Sequence, residues 1–98
     1  MPKDATEAVR WLRLAADQGY RSLGVDAQLS LGLMYQFGNG VPEDYVLACM
    51  WYNLSAAQGN ENAQEIKDIL EQRMTREQIT EAQRLSCEWL EEHPPGGN

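Results

Sequence analysis

Ninety-eight residues with 43% hydrophobic and 23% charged side chains describe one ordinary folded domain, or a piece of one, and exclude a disordered chain. Eight Lys and Arg against fifteen Asp and Glu leave a net charge of −7 with no basic stripe, which argues against nucleic acid and anionic membrane surfaces as partners. No apolar run approaches the ~18 residues of a membrane span, and Cys49 and Cys87 make neither a disulfide framework nor a CxxC-type metal site.

Taken in chain order, residues 4–18 carry Ala8, Trp11, Leu12, Ala15 and Ala16 at helical spacing and end at Gly19. Residues 19–26 read as a turn. Ala27, Leu31, Met34 and Tyr35 mark a helix over 27–37, which stops at Gly38-Asn39-Gly40, residues suited to positive φ. Pro42 and Asp44 suit the first turn of a helix over 43–58, whose stripe is Tyr45, Ala48, Trp51, Tyr52, Ser55 and Ala56. A helix over 62–73 follows. Thr75-Arg76-Glu77-Gln78 is a capping box that opens a last helix over 76–92, with Ile79, Ala82, Leu85, Ser86, Trp89 and Leu90 inward and charge outward. Residues 93–98 form a Pro- and Gly-rich tail expected to be disordered. The charge follows the same plan: residues 27–60 contain only Glu43 and Asp44, whereas 61–98 contain nine acids and four bases. A nearly uncharged centre implies packing on several sides.

The chain repeats itself. A shift of 40 lays residues 2–19 over 42–59, matching Pro2 with Pro42, Asp4 with Asp44, Ala8 with Ala48 and Trp11 with Trp51. It also matches Leu14 with Leu54, Ala16 with Ala56, Gln18 with Gln58 and Gly19 with Gly59. Further on, Ala27-Gln28 matches Ala63-Gln64 at a shift of 36, so the first inter-repeat turn is expected to be four residues longer than the second. Self-similarity at this period is the signature of a stacked helical array.

Ala27-Gln28, Leu31-Gly32, Met34-Tyr35, Gly38-Asn39-Gly40-Val41-Pro42, Asp44, Ala48, Trp51-Tyr52, Ala56 and Gly59 together resemble the Sel-one-like repeat (SLR), a relative of the tetratricopeptide repeat. The resemblance implies an all-α fold, an α/α superhelical solenoid of antiparallel helix pairs with a C-terminal capping helix. Within a repeat domain over 1–92 it implies a partial repeat 2–19, a full repeat 27–59, a degenerate half-repeat 62–73 and the capping helix 76–92. The opening on the second helix of a repeat suggests a segment of a longer array. At the shift of 36, Gly32 and Tyr35 become Asp68 and Glu71, which removes the close-approach glycine and the packing tyrosine.

By the same resemblance the function is that of an interaction scaffold or adaptor, found very often in bacteria, that binds a protein or peptide. A structural spacer within a longer repeat protein is the alternative. A β-lactam-binding or hydrolysing enzyme ranks last, because this chain lacks the regular cysteine pairs of the members proposed for that chemistry. No catalytic residue, cofactor or metal is expected, since His93 lies in the tail away from Cys49 and Cys87. Cys49 is expected half-buried and Cys87 accessible. The cytoplasm is the favoured compartment, with the periplasm as alternative if a leader belongs to a missing N-terminal part.

Leu29, Leu33 and Phe37 form a second stripe on the helix 27–37 and, with Gln36 and with Gln72 and Arg73 one unit later, are the candidate partner-binding residues. Burial of these leucines under neighbouring helices is the competing reading. Leu47, Met50 and Leu54 stand where the earlier unit has Glu7, Arg10 and Leu14, so they require a cover, for which the capping helix is nearest and a partner site is the alternative. A homodimer through the exposed face of the helix 4–18, or exchange of that helix at the turn 19–26, would hide the stripe left without its partner helix.

Overall fold

Tyr52 sits where Gly32 leaves room for it, and this contact sets how the central helices meet. A Cβ on Gly32 would stand 2.3 and 2.4 Å from two Tyr52 ring carbons, closer than any packed pair of carbons. The Tyr52 hydroxyl, carried past the glycine, donates to Gln36 Oε1 at 2.6 Å. In the computed structural model, which describes residues 5–18 and 21–93, this pair joins the second and third of five helices. The helices are α1 (Ala5–Gln18), α2 (Arg21–Phe37), α3 (Tyr45–Ala57), α4 (Glu61–Glu71) and α5 (Arg76–Glu92). The described residues contain no strand, and the fold is an all-α helical repeat solenoid.

α3 lies against α2, α4 and α5, and α1 packs on α2. Enclosure from three directions explains the uncharged centre of the sequence. Ala48, Cys49, Met50, Trp51, Tyr52, Leu54 and Ser55 are all buried, which leaves no continuous solvent face over that stretch of α3. Met50 and Leu54 are covered, as the replacement of Arg10 by Met50 at the same repeat position predicts for this face, and Leu47, which replaces Glu7, is half-buried against the same core. α5 supplies cover for this side. Ser86 Oγ donates to Ala82 O at 2.9 Å and accepts from Asn53 Nδ2 at 3.2 Å, while Trp89 meets Trp51 edge-on with ring centroids 6.1 Å apart.

The helix ends follow local chemistry. Asp44 lies outside α3, not in its first turn: its backbone is extended and its Oδ1 accepts from Leu47 N at 3.1 Å, making it the N-cap. Asn60 caps α4 in the same way. The Thr75–Gln78 capping box forms as expected, at 3.0 Å to Gln78 N and 2.9 Å to Thr75 N. Between α2 and α3, Gly38 and Gly40 take φ of +66° and +85°, and Asp44 N donates back to Tyr35 O at 2.9 Å. The end of α2 is thereby tied to the start of α3.

Two expectations need correction. α2 begins at Arg21, so residues 21–26 are helix and not part of a long turn. The four-residue excess between repeats is spent on extra helix, and the single Gly24 within it does not break the helix, since a lone glycine costs only about 1 kcal/mol. Gly19 and Tyr20, all that remains of the predicted turn, lie outside the described residues, so reach for helix exchange has no support. His93, assigned by sequence to a disordered tail, stacks on Trp89 with centroids 3.9 Å apart. Residues 94–98 lie outside the described residues.

Gly32→Ala should destabilise the chain by about 1–3 kcal/mol through overpacking against Tyr52, read as a lower midpoint in urea with an unchanged slope.

Candidate functional site

α2 and α4 are the first helices of successive units, and their exposed sides carry the candidate residues. Val9, Ala27, Leu31 and Tyr35 belong to the buried core, which fixes the rotation of α1 and α2. Leu29 and Leu33 stand half-buried against that core, on the flank of α2. Phe37, one turn further, is 69% exposed. Its backbone is nevertheless held, because the turn after it is closed by Asn39 N donating to Met34 O at 2.9 Å and by the Asp44–Tyr35 bond. The stripe thus runs from core to solvent: the leucines answer to both expectations for them, and the phenylalanine offers the free ring.

Gln36 is half-buried and its Oε1 is engaged by Tyr52, so its first duty is to the fold. Gln72 and Arg73 are exposed at the C-terminal end of α4, where Gln72 is the C-cap and Arg73 N donates to Leu70 O at 2.9 Å. α2 and α4 both pack on α3, and neither packs extensively on the other. The structure therefore brings Leu29, Leu33, Gln36 and Phe37 together on one helix and sets Gln72 and Arg73 on a second helix docked to the same α3. Ile69, the equivalent of Leu33 one unit later at the shift of 36, is 61% exposed. Glu65 and Asp68 are exposed within one turn of Ile69 on its N-terminal side, and Arg73 is exposed one turn beyond it.

The two thiols are placed differently. Cys49 is fully buried, beyond the partial burial expected of it, and its Sγ donates to Glu71 Oε2 at 3.9 Å. Loss of water around it, then the Glu71 charge, push its pKa up to about 11, against a weaker opposing pull from Lys67. Lys67 itself reaches Glu71 at 3.7 Å. A thiol held protonated in this way is a small apolar filler and not a nucleophile. Burial likewise raises the Tyr52 pKa well above the usual phenol range. Cys87 is exposed on α5. Among the described residues no group of His, Cys, Asp and Glu is placed to hold a metal ion, and no helix is long and apolar enough to cross a membrane.

The Sel1 repeat family model matches residues 1–20 and 25–60, more than half of the chain. The chain belongs to the Sel1 repeat family. The two matched stretches correspond to α1 and to the α2–α3 pair with its Gly-Asn-Gly turn, while α4 and α5 lie outside the match. Among solved structures, this Sel1 repeat chain is similar to c5321, described as a protective antigen present in uropathogenic Escherichia coli strains and displaying an SLR fold. The two are 34% identical with a TM-score of 0.86; the match covers 97% of this chain and 20% of the antigen, so the chain spans about a fifth of that protein's length. No curated protein sequence matches significantly. Sel1 repeats commonly form protein-interaction modules, and the helical solenoid is a fold that typically works without catalysis.

Thiol labelling of the native chain at pH 8 should modify Cys87 and spare Cys49 until denaturant is added. Because the Cys49 pKa is raised in the folded state, its contribution to stability is complete below the ordinary thiol value of 9.0 and is lost as pH climbs through about 11. Alkaline titration of Cys49→Ala beside the unaltered chain should show a smaller loss that begins only near the ordinary phenol value of 10.0, because Tyr52 still contributes its own.

Proposed function

We propose that this Sel1 repeat chain is a peptide-binding module whose contact surface is built on α2 and α4. Phe37 anchors it, with Leu29 and Leu33 as the apolar floor, Ile69 as a second anchor, and Gln36, Gln72 and Arg73 as polar rim. The observation that carries this reading is the exposure of Phe37 on a backbone that the Gly38–Asp44 turn holds in place. A rigid ring left in water is what a peptide side chain can pack on without an ordering cost to the module. The repeat comparison supports it too. Phe37 falls on Arg73 at the shift of 36, so the position is a surface one in both units and its aromatic character answers no packing need.

The acids on the N-terminal side of Ile69 favour a partner segment with an apolar residue near Lys or Arg. Gln36 enters as a half-committed residue, able to offer its amide N–H while its oxygen serves Tyr52.

Phe37→Asp should abolish capture of a bound peptide while changing stability by no more than about 0.5 kcal/mol, as expected for an exposed position. Leu33→Asp should cost roughly 2–4 kcal/mol, because it places a charge against the core. Far-UV circular dichroism and urea melts separate the two; retention of peptide binding by Phe37→Asp would move the site off Phe37, and absence of peptide binding by the unaltered chain would leave the spacer reading in its place.

A further inference from the structure

The surface on α2 and α4 carries an order of charge as well as an apolar patch. At the shift of 36, Leu29, Leu33 and Phe37 fall on Glu65, Ile69 and Arg73. Each set is spaced by four residues and forms one row along its helix. The row on α2 is apolar from end to end. The row on α4 runs acid, apolar, base, and all three of its side chains are exposed. Among the described residues, ion pairs join Lys67 to Glu71 and Arg84 to Glu81 and Glu88, and neither Glu65 nor Arg73 takes part in one. The fold itself gives these two charges no direct partner. Asp68 is a different case, turned about 100° around α4 from Ile69 and bonded to Gln64 at 3.1 Å.

The spacing of the row decides what shape of segment fits it. Glu65 and Arg73 stand eight residues apart, about 12 Å along the helix and too far to meet each other. An extended chain covers that distance in about four residues, at roughly 3.3 Å each. Its residues i, i+2 and i+4 project to one side, so three side chains can meet the acid, the apolar residue and the base of α4 in turn. A helical segment needs eight residues to span the same distance, and a helix that short does not hold in water. Binding it would cost the ordering of the whole segment.

We infer that the partner segment is an extended peptide of the pattern Lys or Arg, any, apolar, any, Asp or Glu. Its base meets Glu65, its apolar side chain lies among Leu33, Phe37 and Ile69, and its acid meets Arg73. This inference rests on the peptide-binding reading above and adds to it the order and spacing of charge. The reversed pattern binds as well, with its backbone running the other way. Two like charges at the ends are disfavoured, because one of them then opposes its own sign.

NMR titration of the isotope-labelled 98-residue chain with acetyl-Ser-Lys-Ser-Leu-Ser-Glu-Ser-amide tests this. Shifts are expected at the amides around Phe37, Ile69 and Arg73. A peptide with two lysines, or with two glutamates, should bind about tenfold more weakly, since one exposed pair worth about threefold becomes a repulsion of similar size. The gap should narrow as salt is raised. Arg73→Glu should turn the preference to the two-lysine peptide and Glu65→Arg to the two-glutamate peptide, with helicity retained in both. Equal binding of the three peptides, lost in Phe37→Asp, overturns the charge pattern and leaves the peptide module standing. An unchanged ranking in Arg73→Glu and Glu65→Arg overturns it too, as does tighter binding by a helical peptide with Lys and Glu eight residues apart. No shift with any peptide overturns the pattern and the module together.

Discussion

The missing Cβ of Gly32 is the constraint on which the rest of the structure depends. It lets the Tyr52 ring lie against the backbone of α2 and brings its hydroxyl to Gln36, which ties the two helices at one depth and one rotation. With α3 placed in that way, its remaining sides become the seats for α4 and α5. Where the glycine is lost, at Asp68, the following helix no longer packs in the same manner: α5 leaves α4 and lies on α3 instead. One side-chain choice thus decides both how the full repeat forms and where the array changes character.

Much of this was legible in the sequence, and particular residues show why. The period placed Trp51 over Trp11, and the turn Gly38-Asn39-Gly40 marked the end of α2 because positive φ is written in glycine. The capping box at Thr75 was readable because both of its partners are local. The cover over this face of α3 could be read from Leu47 and Met50, which stand where the earlier unit has Glu7 and Arg10. The start of α2 was not legible. A change of repeat register counts extra residues without saying whether they extend a loop or a helix, and nothing from Tyr20 to Asp26 forbids the helix. Cys49 was misjudged in degree because the stripe drawn for α3 assumed two neighbours, and three helices surround it.

The candidate site was legible only in part. Phe37 could be picked out as an apolar residue four positions beyond Leu33, but spacing alone cannot separate a ring that faces water from one that faces a neighbour. The difference between Phe37 and Leu33 is the position of the helix end, a property of the turn. Gln36 shows the converse: a polar residue that looks like a rim contact is bonded to Tyr52 across the helix pair, and no local signal carries that information. Gln28 belongs to the same class. Its pairing with Gln58, at 2.9 Å, joins two positions that recur in the other units, Gln64 and Gln18, yet their sequence separation hides the bond.

The enclosure of α3 has a consequence for how the molecule comes apart. Long solenoids unfold in pieces, because each unit leans only on its neighbours and an end can fray while the middle stands. Here the helix in the middle holds α2, α4 and α5 in place, with its core-facing residues shared among all three. Opening α4 or α5 exposes part of α3, and opening α3 removes the support of everything except the α1–α2 contact. The backbone amides of α3 should therefore exchange with solvent only when the α2–α5 unit opens together, while α1, which leans on α2 alone, can fray separately.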